Sequence, residues 1–371
     1  MKYVFIAGLT DFRVEGVLEN PVEVTDGILL SNNVEHIKNY IQGSQMVAIG
    51  SLELDYLLSG NPVVFKQNQV DSQELVFTET VDFMRGCLAF LTLLWIENDN
   101  SINFEQAFAV SQSNSHVHSN SLSHHFWSNQ GDKGLLTLGK DELIEIVESK
   151  RSYLGGLKSA NQPDDTFQRK ETGRINIGNT FLLQARSTPD LGLKIANYCS
   201  YFEAMLSSNT TELSHQMAER AAFYLRDDPQ ERLDHYQKSK LAYGIRSAIV
   251  HGDSVSKRQL KDIKETAKHC DAVARELTNK MMTDEEYYSV LTSSDSQHLD
   301  AFMKNKIFGI ATAGILDSTK LNIGEAVVVK RAIWSFSREL KLKSDNPSPS
   351  YPDETFNEEN AETLNVVGRV V

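Results

Sequence analysis

The chain has few cysteines, no long apolar run and no excess of positive charge, and each shortage closes a class of function. Only three cysteines occur in 371 residues: Cys87, Cys199 and Cys270. Their odd number and wide separation give no CxxC or zinc-type spacing, so neither a disulfide framework nor a structural zinc is expected, and a reducing, cytoplasmic location is. The longest apolar stretch, Gly86 to Ile96, has 11 residues, against the roughly 20 that a spanning helix needs. The apolar start from Tyr3 to Leu9 is cut off by Asp11 and Arg13, so neither a secretory signal nor a membrane partner is expected. Lys and Arg number 37 against 50 Asp and Glu, a net charge of −13. That argues against broad, sequence-independent clamping of nucleic acid, which depends on many phosphate-neutralising cations. No P-loop, dinucleotide fingerprint, GxSxG elbow or HExxH occurs.

What is present is a globular composition, 40% hydrophobic and 23% charged, on a chain more than twice the ~150 residues of an ordinary domain. Two domains are expected. The charge is unevenly spread. Residues 344–371 carry six acids and one base, Arg369, whereas Glu212 to Lys280 holds 13 Lys/Arg against 11 Asp/Glu. An anionic ligand is therefore to be sought in the second region.

The first third reads as mixed α and β. Tyr3–Leu9, Val22–Leu30, Met46–Ile49 and Val63–Lys66 have strand composition and strand-like boundaries. Asn33 is placed to cap a helix through Val34, Ile37, Tyr40 and Ile41, and Thr78 to Glu97 reads as a long, buried helix. The stretch from Val110 to Gly139 turns polar, and helical periodicity resumes over Lys140–Tyr153. Gly155 to Asp165 is the best linker, with a boundary near residue 160.

From Phe167 to about Leu342 the pattern is helical. Ser187 or Thr188 with Pro189 marks one start, Asn209 or Thr211 the next, and Pro229 after Asp227-Asp228 another. Gly252 suits a C-terminal cap directly after His251. Ser256 opens a helix with an apolar stripe of Leu260, Ile263, Ala267, Cys270, Val273 or Ala274, Leu277 and Met281, and Thr283 with Glu286 forms a capping-box pattern. Residues 344–371 read as a disordered acidic tail.

The segment Lys240-Leu-Ala-Tyr243-Gly-Ile-Arg246-Ser247-Ala-Ile-Val250-His251-Gly252-Asp253 carries the chemistry. Five residues along a regular helix leave Arg246 and His251 ~140° apart, so they converge only where the last turn tightens or unwinds. Taken alone, the pair is more simply a surface arginine and a histidine at the negative end of the helix dipole.

The surroundings change that weighting. The segment resembles the R-x4-6-H signature of HEPN domains, and more narrowly the ApeA-like group found in prokaryotic host-defence proteins. Ala185-Arg186-Ser187-Thr188-Pro189-Asp190, Lys194-Ile195-Ala196, Tyr201-Phe202-Glu203-Ala204, Glu212-Leu213-Ser214-His215 with Glu219-Arg220, and Lys240 to Gly252 follow in that group's order. The resemblance covers roughly Phe167 to Met281. Joined to the residue patterns above, it gives a multidomain α+β chain: an N-terminal mixed α/β module over 1–160, for which domain order alone points to a sensing or regulatory role, then an all-α HEPN-type bundle over 165–343. The resemblance implies a metal-independent endoribonuclease with no cofactor, working as a homodimer whose two Arg–His pairs share one cleft. RNA is the implied substrate, and host defence or stress response leaves room for an antitoxin or trigger protein as a partner.

On that resemblance Arg246 and His251 are the catalytic residues. Histidine titrates near neutrality and can move protons at a ribose 2′-hydroxyl or a leaving 5′-oxygen, while arginine stays charged against developing phosphate charge. Ser247 replaces the Asn, Asp or His often found after the arginine in other HEPN groups, so only a positioning role is expected there. Tyr243 and Lys240 are candidate RNA contacts, and Glu203 is a candidate partner orienting Arg246. A non-catalytic HEPN module binding RNA or protein is the alternative.

Two metal readings rank lower. His215 and Glu219 are spaced i, i+4 but lack a third ligand. His116 and His118 with His124-His125 lie in a Ser/Asn-rich segment without an acid or cysteine, which reads as a solvated loop.

Overall fold

The computed structural model describes residues 1–121, 125–150 and 173–309. Within Met1–Ile310, which forms one compact unit, an antiparallel sheet region is followed by a helical region, an α+β arrangement. The linker near residue 160, the helical stretch beyond Gly309, the acidic tail and His124 lie outside the described residues. No helix among the described residues is long and apolar enough to cross a membrane.

Strand β1 (Lys2–Gly8) is the centre of the sheet because nearly every side chain along it is apolar, so both faces must be covered. β2 (Phe12–Val14), β3 (Val22–Thr25), β4 (Ile28–Ser31), β5 (Val63–Gln69), β6 (Gln106–Ser111), β7 (Val117–Ser121) and β8 (Leu136–Leu138) complete the strands. Six form one sheet in the order β3-β4-β5-β1-β6-β7, and β2 pairs with β8 in parallel. Tyr3, Phe5 and Ala7 face one core, which includes most of helix α3 (Val76–Glu97); Val4 and Ile6 face a smaller one with Ile37, Ile41, Ile49 and Leu57. The alternation is the period-two rule of a strand.

Several sequence expectations need correction. Met46–Ile49 is not a strand but part of helix α1 (Ser44–Ile49), followed by α2 (Ser51–Leu57). Four apolar residues cannot distinguish a strand from a helical turn, and Gly43 and Gly50, both at positive φ, bound the turn. Val22–Leu30 is a hairpin broken at Asp26-Gly27, whose φ values are 25° and 75°. Asn33 does cap, accepting from the Glu35 amide, but it starts two short 3-10 turns and not an α-helix. The polar stretch after Val110 contains β7 and β8 as well as the fully buried Phe126.

The helical region comprises α4 (Lys140–Lys150), α5 (Arg174–Ser187), α6 (Leu191–Leu206), α7 (Leu213–Leu225), α8 (Pro229–His251), α9 (Lys257–Thr283), α10 (Glu285–Thr292) and α11 (Ser296–Phe308). Asp228 caps α8 through the amides of Gln230 and Glu231, with Pro229 in its first turn. Ser256 and Gln259 form a reciprocal capping box on α9.

Other starts shift. Ser187 ends α5, and Asp190 caps α6 by accepting from Leu193. α7 begins after Glu212, which is left-handed at φ 50°. Asp284, not Thr283, caps α10. Leu260 departs from the expected apolar stripe and is 51% exposed, whereas Ala267, Cys270, Val273, Ala274 and Leu277 are buried.

The core of this region gathers α6, α7, α8 and α9 around Tyr198, Phe202, Met217, Ile245, Cys270 and Leu277. Trp95 and Ile96 at the end of α3 belong to this core, while Leu94 belongs to the sheet's. One helix thus serves both layers, which explains why it is apolar all round in its second half.

Candidate active site

Helix α8 is seated in the core through Ala242 and Ile245, and its end approaches α6 closely. A Cβ at Gly192 on α6 would lie 2.8 Å from Ile249 Cδ1, so a larger residue there would push the Ile249 side chain aside. Helix α8 packs against α6, and Arg246 meets Glu203. The nearer guanidinium Nη lies 3.4 Å from Glu203 Oε1, and both side chains are about four-fifths buried (20% and 19% exposed). The Arg246 guanidinium also stands 5.3 Å from the centre of the Tyr243 ring, close enough for cation–π attraction. Burial first, then the negative charge of Glu203, push the Tyr243 hydroxyl above its ordinary range. The arrangement restricts the swing of Arg246, while Arg246 Nε and Glu203 Oε1 have no hydrogen-bond partner among the described residues.

His251 is the last residue of α8 and is exposed. Gly252 follows at φ 74°, where an L side chain is strained, and the helix closes through its amide and that of Asp253, which donate to Ile249 and Ala248. The helix stays regular to its final residue, so Arg246 and His251 point ~140° apart within one chain. No hydrogen bond or ion pair holds the His251 ring among the described residues.

The structure divides the candidate residues into two sets. Glu203, Tyr243 and Arg246 are brought together. Lys240, Ser247 and His251 fall on a different face of α8, within a ~40° arc along the i, i+7, i+11 line. Lys240 is exposed and Ser247 half-buried. Lys240 lies ~120° from Arg246 around the helix, so the two do not share a face.

His215, exposed, and Glu219, half-buried, are neighbours at 4.0 Å, and the other His215 nitrogen meets the Tyr236 hydroxyl at 3.1 Å. His116 precedes β7 and contacts the Tyr3 hydroxyl at 3.2 Å, while His118 lies in β7 with its ring edge-on to Phe77. Both are half-buried beside the sheet, so the solvated-loop expectation does not describe them. Among the described residues no three His, Cys, Asp or Glu side chains are grouped to hold a metal ion.

Sequence reasoning missed two buried clusters. Asp271, on α9 and 1% exposed, accepts hydrogen bonds from Trp95 Nε1 (2.9 Å), the Tyr198 hydroxyl (2.7 Å) and Arg275 Nε (2.9 Å). Beside it, Arg186 is fully buried between the rings of Trp95 and Phe126, 4.9 and 4.0 Å from their centres. Burial pushes Asp99 up to about 6, with Asp271 adding to the effect. Arg186 lies inside one of the motif blocks, yet nothing local marks it as a clamp between sheet region and helices. The second cluster is His235 and His269, edge-on at 4.8 Å between α8 and α9. Burial, with nearby positive charge, holds them down at about 4 and about 3.

Compared with protein-family models, curated proteins and solved structures, the chain matches none.

Proposed function

We propose that the chain is a metal-independent endoribonuclease of HEPN type, active as a homodimer, with a role in prokaryotic host defence or stress response. One observation carries this reading. An arginine, held by Glu203 and Tyr243, lies on the same helix that ends in an exposed histidine with no hydrogen bond or ion pair among the described residues. Those are the two chemistries that RNA cleavage through its own 2′-hydroxyl requires. His251 takes the 2′-hydroxyl proton or protonates the departing 5′-oxygen, and Arg246 meets the charge that develops on phosphorus. The 2′-oxygen attacks, the P–O5′ bond breaks, and the products are a 2′,3′-cyclic phosphate and a 5′-hydroxyl. Ser247 positions phosphate from the face of His251. Charge stabilisation and proton transfer both come from side chains, so no divalent ion has a step to perform.

The ~140° divergence gives the dimer its purpose. A cleft between two copies lets Arg246 of one chain work with His251 of the other, as a two-fold axis permits. The N-terminal sheet region, clamped to the helices through Arg186 and Asp271, is the part suited to sensing a trigger.

The second reading is a non-catalytic binding module, and the same divergence favours it: in one chain Arg246 is an ion-pair partner and His251 a solvated helix end. Incubating RNA with wild type, Arg246→Ala and His251→Ala separates the two. The ribonuclease reading expects cleavage by wild type alone, with cyclic-phosphate ends; intact RNA throughout favours the binding module.

A further inference from the structure

Helix α9 presents an unusual outer face. Lys257, Lys261, Lys264 and Lys268 recur at i, i+4, i+7 and i+11, which places them within a ~60° arc of the helix. That arc is opposite the face formed by Ala267, Cys270, Val273, Ala274 and Leu277, which fills the core. All four lysines are exposed, and none makes an ion pair among the described residues. Two exposed lysines on other helices are paired with acids. Lys238 sits on Asp234 at 2.7 Å and Lys304 on Asp300 at 2.7 Å, each neutralised one turn away. The acids of this segment, Asp262 and Glu265, lie to one side of the arc, beside Arg258.

Residues 257–268 therefore carry five cations and two acids in a chain whose net charge is −13. A solvated face of ordinary composition would mix the signs. The four ammonium groups span ~16 Å along the axis at ~4.5 to 6 Å intervals, comparable to the spacing of successive phosphates along an extended strand. The helix's own N-terminus adds positive potential at the Lys257 end. Only five residues, Gly252 to Ser256, separate His251 from Lys257.

We propose that this lysine stripe binds the phosphate backbone of single-stranded RNA and leads it to His251. The choice of RNA among polyanions rests on the ribonuclease reading. Lysines are point charges without a planar fork, so the stripe tracks phosphates and reads no sequence. A membrane surface fits less well, because the apolar face of α9 is consumed by the core and cannot insert.

The test uses the full chain, Lys261→Gln/Lys264→Gln, and a control of equal charge change, Lys304→Gln/Lys306→Gln. The probe is a fluorescein-labelled 2′-O-methyl oligouridylate, which keeps its phosphates and cannot be cut through a 2′-hydroxyl. Fluorescence anisotropy across a salt series, with circular dichroism to confirm equal helicity, should show roughly tenfold weaker binding for the stripe variant. Its slope of log affinity against log salt should be shallower by about 1.4, near 0.7 for each lost phosphate contact. The control should match wild type.

Unchanged affinity and slope in the stripe variant would overturn the proposal, even if wild type cleaves RNA. Equal loss in the control would overturn it too, by showing a net-charge effect. Polyglutamate competing as well as RNA at equal charge would assign the stripe to an acidic protein partner and overturn it. Binding lost only in the stripe variant, with no cleavage of unmodified RNA by wild type, would uphold the stripe and remove the ribonuclease reading.

Discussion

Glu203 places a carboxylate oxygen 3.4 Å from the guanidinium of Arg246 across the α6–α8 interface, with both side chains largely shielded from water. The pair links a helix of the central core to the helix that ends in His251. Glu203→Gln removes the charge and keeps the shape, so the fold should survive at a cost of about 1–3 kcal/mol in thermal or chemical melts, between the exposed and fully buried limits. Cleavage should fall by more than tenfold as Arg246 loses its anchor, while binding of uncut RNA changes little. Arg246→Lys keeps the charge without the planar fork and should lose most activity as well. Full activity in Glu203→Gln would show the ion pair to be structural only.

The clamp at Asp271 should behave as a stability element. It collects three donors from α3, α6 and α9 at a nearly inaccessible site. Asp271→Ala leaves those donors unpaired and strips the neighbouring Arg186 and Arg275 of a counter-charge. A loss of about 3–5 kcal/mol is expected in urea unfolding, the scale for breaking a buried charge network on one side. Trp95→Phe removes a single donor and should cost about 1 kcal/mol.

Acid sensitivity should centre on His235 and His269. Their folded-state values, about 4 and about 3, lie below the ordinary 6.5. The unfolded chain therefore takes up protons first, and their contribution is complete above pH 6.5 and is lost as pH falls toward 4. Arg226, Lys238 and Asp234 surround the pair, and the two cations reinforce the depression. Asp99 works in the opposite sense: raised to about 6, it favours the folded state as pH drops from 6 toward 4, and so offsets part of the loss. Thermal melts from pH 7 to pH 4.5 should show declining stability in wild type and a shallower decline in His235→Leu. Parallel curves would place the acid-sensitive groups elsewhere.

Much of the helical region was legible because its starts are written locally. Asp228-Pro229, Ser256 with Gln259, and Gly252 are caps formed by side chains or by a backbone conformation that the residue itself favours. The starts of α6 and α10 moved by only a few residues because two polar residues competed for the cap. Met46–Ile49 was misread because its helical turn is too short to show a period, and its fate depends on two flanking glycines. The Arg246–His251 spacing was legible, as was the Glu203 partnership. Arg186 and the His235–His269 pair were not, since their roles arise from residues far apart in sequence. Burial of a charge is a property of the assembled fold, and no periodicity announces it.

Metal and substrate chemistry provide a further expectation. Cleavage should persist in excess EDTA, and RNA carrying a 2′-O-methyl at the cut site should resist, as should DNA. Activity that disappears with chelator and returns with Mg²⁺ or Zn²⁺ would contradict the proposed mechanism and redirect attention to the histidines near β7.

The central claim is that one chain's Arg246 acts with another chain's His251, and complementation in trans tests it most directly. Arg246→Ala and His251→Ala chains, each inactive alone, are co-expressed with different tags and the mixed population is assayed on RNA. Random pairing makes half the dimers mixed, each with one intact cross-chain pair, so activity should return to about a quarter of wild type. A mixture as inactive as either parent, with mixed dimers verified by tandem tag capture, would contradict the account.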